Sequence, residues 1–306
     1  MEIVYLLFEL IPCLSIGYLI GRFNQNLSLK IAKPLTTFGI PISLMGLLLK
    51  SGMNWQLIEA AAIALLTIGI SIFIINISPS LQNLFSNQTF LLGSHFGNTG
   101  YFGIPISLAL LPTEALSFSI GFDIGATLII WSLGPLIMAH TENRSKKISQ
   151  WRIFLRSILN SPASKGLLGA LVVQCTPWNQ QITSFLWMPS KIVIFLALII
   201  VGMRISFLNI SKNKSALTQI MLIKNALTIK LLFLPSLMLS ICTILKVGTT
   251  MRNSLVLQAA TPTAISILLI SEASAKNQNS ARSLVVWSTC FSLISIPLWA
   301  MVLKIS

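Results

Sequence analysis

Gly93-Ser94-His95-Phe96-Gly97-Asn98-Thr99-Gly100-Tyr101-Phe102-Gly103-Ile104-Pro105 lies among apolar segments long enough to cross a bilayer. A continuous helix does not suit it. Gly costs about 1 kcal/mol in a helix interior and Pro about 3, and Pro also removes a donor and clashes with the preceding turn. Broken backbone at membrane depth is tolerated only where protein buries it or where it lines a wet cavity. The stretch is therefore either a kinked packing helix or the binding centre of a carrier. A second interruption, Gln258-Ala259-Ala260-Thr261-Pro262-Thr263, breaks another apolar run near the other end of the chain. Paired breaks at matching places in two halves are the sequence mark of a transport site.

Composition sets the environment. Of 306 residues, 54% are hydrophobic and only 9% charged, with mean hydropathy +0.83; soluble domains carry about 25% charged residues. The chain reads as an all-α polytopic membrane protein. Its net charge of +14 fits cytoplasmic loops rich in Lys and Arg, and no basic patch interleaved with aromatics points to nucleic acid. The first apolar run begins almost at Met1 beside Glu2 and Glu9, without a basic leader, so it reads as a first span and not a cleaved signal. Cys13, Cys175, Cys242 and Cys290 sit in apolar runs without CxxC spacing, which reads as buried thiols and excludes a zinc or redox motif.

Ten spans fit the chain, most of them near the roughly 17–25 residues that a bilayer core requires: Ile3–Gly21, Pro34–Lys50, Trp55–Ile77, Asn87–Leu111, Ala115–Ala139, the short Pro162–Cys175, Phe185–Met203, the longer Leu217–Leu245, Ser254–Ile270 and Ala281–Leu303. The fourth and ninth are the broken ones. Thirteen of the 21 Lys and Arg fall in loops after odd-numbered spans, and four on the opposite side. By the positive-inside rule the odd loops are cytoplasmic and both termini lie outside. Residues 1–140 then form a first five-helix repeat, 141–161 a cytoplasmic connection, and 162–306 a second repeat. The connection holds a basic, amphipathic run, Lys146–Arg156, suited to the anionic membrane surface. Leu128-Ile129-Ile130-Trp131-Ser132 echoes Leu284-Val285-Val286-Trp287-Ser288, each after a broken span. An odd number of spans per half makes the second copy inverted.

Asn98-Thr99-Gly100-Tyr101-Phe102-Gly103-Ile104-Pro105, an N-x-G-x-x-G-I-P string, resembles the fourth-span signature of the auxin efflux carrier family. Leu14–Phe23 with Leu35–Lys50, Phe122–Leu128, Leu257–Ala264 and Ser283–Trp299 are similar to its first two, fifth, ninth and tenth spans. The resemblance covers most of the chain. It implies two inverted five-helix repeats, a scaffold part, and a transport part whose broken helices cross at mid-membrane with elevator-like movement. Its prokaryotic members resemble permeases for malate, malonate and related organic anions. The long hydrophilic loop of many plant auxin exporters is missing here, which argues against auxin itself.

The expected substrate site comprises Asn98, Gly100, Gly103 and Pro105 with Gln258, Thr261, Pro262 and Thr263. Half-helix N-termini at the breaks would hold a carboxylate without a fixed Arg. Alternatively these side chains only satisfy backbone freed by Pro105 and Pro262. Asp123, in mid-span, needs a partner or a cavity. It is the candidate for proton or cation coupling, or else pairs structurally with Lys224, Lys230 or a hydroxyl; Glu9 is a weaker case. Lys224 and Lys230, six positions apart, occupy different faces, and either could attract an anion. Gly17-x-x-x-Gly21 and Gly121-x-x-x-Gly125 read as close-packing faces. His95 has no second His or acid at metal spacing, so no metal site is expected. No cofactor motif, nucleophile elbow or HExxH occurs, so the chain does not read as an enzyme. A channel is the competing reading, though no charged or carbonyl-rich ring motif is visible. The expected contacts are a small organic anion and membrane lipids at the plasma (cell inner) membrane, with a homodimer left open.

Overall fold

The computed structural model describes residues 2–24, 27, 30–31, 34–83, 85, 87–139, 159, 162–206, 216–273 and 277–305. The expected connection at 141–161 lies outside them apart from Leu159, as does the side chain of Glu9.

The described residues are helical, with one isolated backbone bridge. The first half contains α1 (Glu2–Phe23), α2 (Ile40–Ser51), α3 (Trp55–Ile77), the short α4 (Pro79–Gln82), α5 (Gln88–His95), α6 (Ile104–Leu110) and α7 (Ala115–Ala139). The second contains α8 (Pro162–Gln174), α9 (Asn179–Ile205), α10 (Ala216–Thr228), α11 (Leu234–Ile244), α12 (Thr249–Ala259), α13 (Ile265–Ala273) and α14 (Gln278–Val302). Helix falls on all ten stretches expected to span. Among the described residues four rods are long and apolar enough to cross a bilayer: Trp55–Ile77, Asn179–Met203, Thr218–Ile244 and Gln278–Val302. Shorter apolar helices include Thr37–Ser51 and Thr99–Leu110.

The faces are arranged for lipid. On α14, Ser288, Thr289, Ser292 and Ser295 are buried, while Phe291, Ile294, Leu298 and Met301 are exposed. That is polar inside and apolar outside, with the Ser288, Thr289 and Ser292 hydroxyls returning hydrogen bonds to their own helix, as Thr289 does to the Val285 carbonyl at 2.7 Å. In water such an exposed apolar stripe would drive association; in hydrocarbon it is the solvated face.

Three π turns punctuate the rods, at Leu35–Gly39, Thr99–Gly103 and Ile229–Phe233. Each ends two residues before a proline: Pro41, Pro105 and Pro235. A proline cannot donate to the carbonyl four residues back. In each case the residue before it bonds five residues back instead, as Ile104 N–H does to Thr99 O. The carbonyl stranded by Pro235, that of Leu231, accepts from Trp299 Nε1 at 2.9 Å. The first two turns open an identical heptapeptide, Phe38–Leu44 and Phe102–Leu108, in identical register.

Two groups of helices emerge from the packing. In one, α1 lies along α9, and α2 packs against α8 and α9. In the other, α3 lies along α7, with α11 and α12 against each other and α12 against α7. Small residues set both long contacts. A Cβ on Gly17 would stand 2.1 Å from Ile199 O, and one on Gly121 would stand 2.4 Å from Leu57 O. The two G-x-x-x-G faces are thus close-packing faces, as their spacing indicates.

Of the cysteines, Cys242 is buried but Cys175 is exposed. The expectation of buried thiols is corrected there, because α8 ends at Gln174 and leaves Cys175 in the turn beyond.

Candidate functional site

The first break falls between α5 and the π turn at Thr99. Phe96, Gly97 and Asn98 leave helical conformation there. The second falls between α12 and α13, at residues 260–264. The two breaks pair backbone to backbone. Asn98 N–H donates to Pro262 O at 2.7 Å, Ala264 N–H donates to Phe96 O at 2.9 Å, and Gly97 and Thr263 form an antiparallel bridge. Each break therefore supplies partners for groups that the other leaves without a helical bond. Glycine makes this approach feasible. A Cβ on Gly103 would stand 2.0 Å from Gln258 Oε1, and one on Gly97 would stand 2.2 Å from Thr261 Oγ1.

A cavity of about 110 Å³ opens beside the first break, between the two groups of helices. A buried water needs on the order of 10–15 Å³ of such space, so the volume admits several waters or a small solute. Its walls come from α2, α7, α9, the π turn at Thr99 and the start of α13. Most of the lining is apolar. The polar groups are Asn98, Thr99, Tyr101, Asp123, Thr127, Ser43 and Ser266, and Asp123 is the charged residue among the lining side chains.

Asn98 and Asp123 differ in how they are held. The Thr99 hydroxyl donates to Asp123 Oδ1, and Gly100 brings the π turn close, with its Cβ position 3.3 Å from the same oxygen. Among the alternatives for this carboxylate, the structure thus gives a hydroxyl partner and not a lysine. Asn98 caps the turn with its backbone carbonyl, which accepts from Phe102 N–H and Gly103 N–H, each at 3.1 Å. Its side chain makes no capping bond, and among the described residues its amide has no protein partner although only 4% of the residue is exposed. The first amides of this half-helix, at Thr99 and Gly100, also precede the point at which intrahelical acceptors begin.

The chain matches the family described as "Membrane transport protein" over residues 7–300, nearly its whole length. It is also 25% identical over 206 residues to an uncharacterised transporter of Methanothermobacter thermautotrophicus, an alignment covering 67% of this chain and 65% of that relative. The chain thus spans just under two thirds of the relative's length. It belongs to this family, the auxin efflux carrier-type permeases. The family is one of membrane transporters, and four described helices of this chain are long and apolar enough to cross a bilayer.

In this family member the other expected site residues sit away from the cavity wall. Gln258, Thr261 and Thr263 are fully buried. Gln258 Nε2 donates to Ser107 Oγ at 3.1 Å, Thr261 Oγ1 donates to Gln258 O at 2.7 Å, and Thr263 Oγ1 donates to Gly93 O at 2.9 Å. Thr263 N–H donates to Ser288 Oγ at 3.0 Å. Gly103 packs on Gln258 and Thr261. Pro105 is buried behind the π turn, and Pro262 contributes its carbonyl to Asn98.

The two in-span lysines separate as their spacing indicates: Lys224 is exposed and Lys230 is buried. Lys230 Nζ donates to Ala259 O at 2.6 Å, at the C-terminal end of α12, where a cation complements the helix dipole. It lies on the far side of the paired breaks, with Nζ 3.1 Å from the Cβ position of Gly97. His95 ends α5 with Nδ1 2.7 Å from Leu91 O, a packed and locally bonded residue. Among the described residues no three His, Cys, Asp or Glu side chains gather at metal-binding distance. Thr127, Ser43 and Ser266 line the cavity without having been singled out; an isolated hydroxyl in an apolar run carries no signal of which way it faces.

Proposed function

We propose that this transporter is a carrier for a small organic anion, bound at Asn98 and the start of the Thr99 half-helix, with Asp123 coupling its entry to a proton or cation. The observation that carries the reading is the unpartnered Asn98 amide beside the Asp123 carboxylate in one cavity. A buried polar group without a partner is costly, and a ligand carboxylate would supply the acceptor. Two negative charges in one low-dielectric space repel strongly. The anion therefore enters together with a proton or cation on Asp123, which makes the carrier a symporter. The remaining paired-break residues, Gly103, Pro105, Gln258, Thr261, Pro262 and Thr263, hold the shape of the site and do not touch the ligand.

The architecture proposed with this function is ten spans in two inverted repeats, residues 1–140 and 162–306, with termini outside, loop 141–161 cytoplasmic, and the plasma membrane as its place. The group around α1, α2, α8 and α9 is the scaffold, and the group carrying both breaks moves against it as an elevator. The seam between them at the cavity supports this division.

A thermal-shift screen of the purified transporter against small mono- and dicarboxylates tests the reading, since a ligand of the folded state raises apparent stability. A carboxylate is expected to raise the melting temperature of the parent, and Asn98→Ala to abolish that rise. A screen in which no carboxylate shifts it, while amines or neutral solutes do, overturns the anion reading.

A further inference from the structure

The cavity wall contains a carboxylate and no basic side chain, so an anion needs attraction from elsewhere to reach it. Two lysines stand one turn along the same seam. On α2, Lys50 follows Leu47 by three residues; on α9, Lys191 precedes Ile194 by three. Leu47 and Ile194 both line the cavity, and residues three apart share a helix face. The lysines thus continue the faces that wall the cavity. The α2–α9 contact is tight just there. Ser43 Oγ donates to Ser190 O at 3.0 Å, and a Cβ on Gly46 would stand 2.2 Å from Ser190 Oγ.

Both ammoniums converge on one indole. Lys191 Nζ is 4.7 Å and Lys50 Nζ 5.8 Å from the ring centroid of Trp187, within the range of cation–π attraction. Trp187 is half-buried against the cluster that contains Leu44, Leu47 and Ile194. Its electron-rich face offsets the repulsion of two like charges. It leaves them unneutralised, because among the described residues neither ammonium has a carboxylate within ion-pair distance. Lys50 is exposed. A net positive, open, rigidly backed pair concentrates anions locally.

We infer that Lys50 and Lys191, gathered on Trp187, form a second anion site that collects a small carboxylate before it enters the cavity. The inference rests on the proposed anion reading for its biological ligand, but the site itself is tested without it. A lipid phosphate offers the same anionic chemistry, and the experiment separates the two sources.

The test uses the full-length transporter in phosphatidylcholine nanodiscs. The Trp187 emission is isolated as the difference between the parent and Trp187→Phe, and quenched by iodide or by neutral acrylamide. Iodide quenching is expected to be about twofold stronger in the parent than in a Lys50→Gln/Lys191→Gln variant, with acrylamide quenching unchanged. Lys50→Arg/Lys191→Arg is expected to restore it. Malonate or benzoate, added at constant ionic strength, is expected to displace the iodide. Equal iodide quenching in parent and glutamine variant overturns the site, provided that both melt cooperatively. Displacement by added phosphatidylglycerol but not by either carboxylate assigns the pair to lipid and overturns the proposal. Iodide enrichment at Trp187 combined with a screen in which no carboxylate binds supports the site and removes the carrier reading instead.

Discussion

The two breaks look alike in sequence and are used differently. Each pairs a proline with uncharged polar side chains in an apolar run, and each ends one half-helix and begins another. The first turns its polar groups toward open space: Asn98, Thr99 and Gly100 line the cavity with Asp123. The second turns its own inward. Gln258, Thr261 and Thr263 are fully buried, and each donates to a named partner. Each break also has a charged side chain nearby, but on opposite sides of the pair. Asp123 is on the cavity side through Thr99, and Lys230 is behind, through Ala259. On the proposed function, the second break is a template that holds the first in shape, and the first is the face offered to a solute. Two breaks of similar sequence can thus be packed in unequal ways.

The largest effect is expected where one break touches the other. Gly97→Val and Gly103→Val each force a side chain into Thr261 or Gln258, where even a Cβ would lie at 2.2 or 2.0 Å. Overpacking of this kind costs about 1–3 kcal/mol, and more where backbone must part. Both variants should lower the melting temperature and abolish uptake. Gly100→Ala has the Asp123 carboxylate as its nearest neighbour, at 3.3 Å, so it should cost far less stability than either valine variant while altering transport. A Gly103→Val protein as stable as the parent would show that the pairing of the breaks is not what fixes the fold.

The existence of both breaks was legible because glycine and proline act locally: their cost in a helix does not depend on what packs nearby. So was the close approach at Gly17 and Gly121, since small residues four apart form one face whatever their partner. The unequal use of the breaks was not legible. Whether Thr263 faces a cavity or the Gly93 carbonyl depends on a residue 170 positions away, and a single span carries no record of that. The Asp123 partner was open for the same reason, with hydroxyl and lysine equally compatible with its position. The π turns could have been anticipated from Phe38–Leu44 recurring as Phe102–Leu108, because the shared proline imposes the same loss of a helical bond on both copies.

The next effect concerns the charge on the open side. Asp123→Asn keeps an acceptor for the Thr99 hydroxyl, so the fold should survive. On the proposed function it removes the site for a proton or cation and also the repulsion against an incoming anion. Uptake driven by a proton or cation gradient should fall about tenfold or more, equivalent to about 1.4 kcal/mol, while anion affinity without a gradient is kept or rises. The check is uptake into proteoliposomes with and without each gradient, beside equilibrium binding. Unchanged gradient dependence would make Asp123 a structural group and remove the coupling distinction between the two breaks.

The finest comparison sets Asn98 against Lys230, one on each side of the paired backbones. Asn98 has an unpartnered amide at the cavity, so Asn98→Ala should weaken substrate binding by about 1–3 kcal/mol, the worth of a hydrogen bond to a charged group in a buried site. Its melting temperature without ligand should barely move, because the capping is done by the Asn98 carbonyl and not by the side chain. Lys230→Met should leave substrate affinity nearly intact. The ammonium is fully buried, and its bond to Ala259 O is lost in the variant, leaving that carbonyl short of a partner. Removing a buried cation also relieves its desolvation, so the two contributions oppose and the net change in stability should stay small. Substrate affinity should change by less than about twofold, because the Lys230 ammonium does not line the cavity and is engaged by Ala259 O. Titrating both variants with the carboxylate found in the screen, and melting both without it, gives four numbers. Loss of affinity in Lys230→Met at unchanged melting temperature would mean that the charge behind the breaks acts on the solute in front of them, and the division of labour between the two would fail.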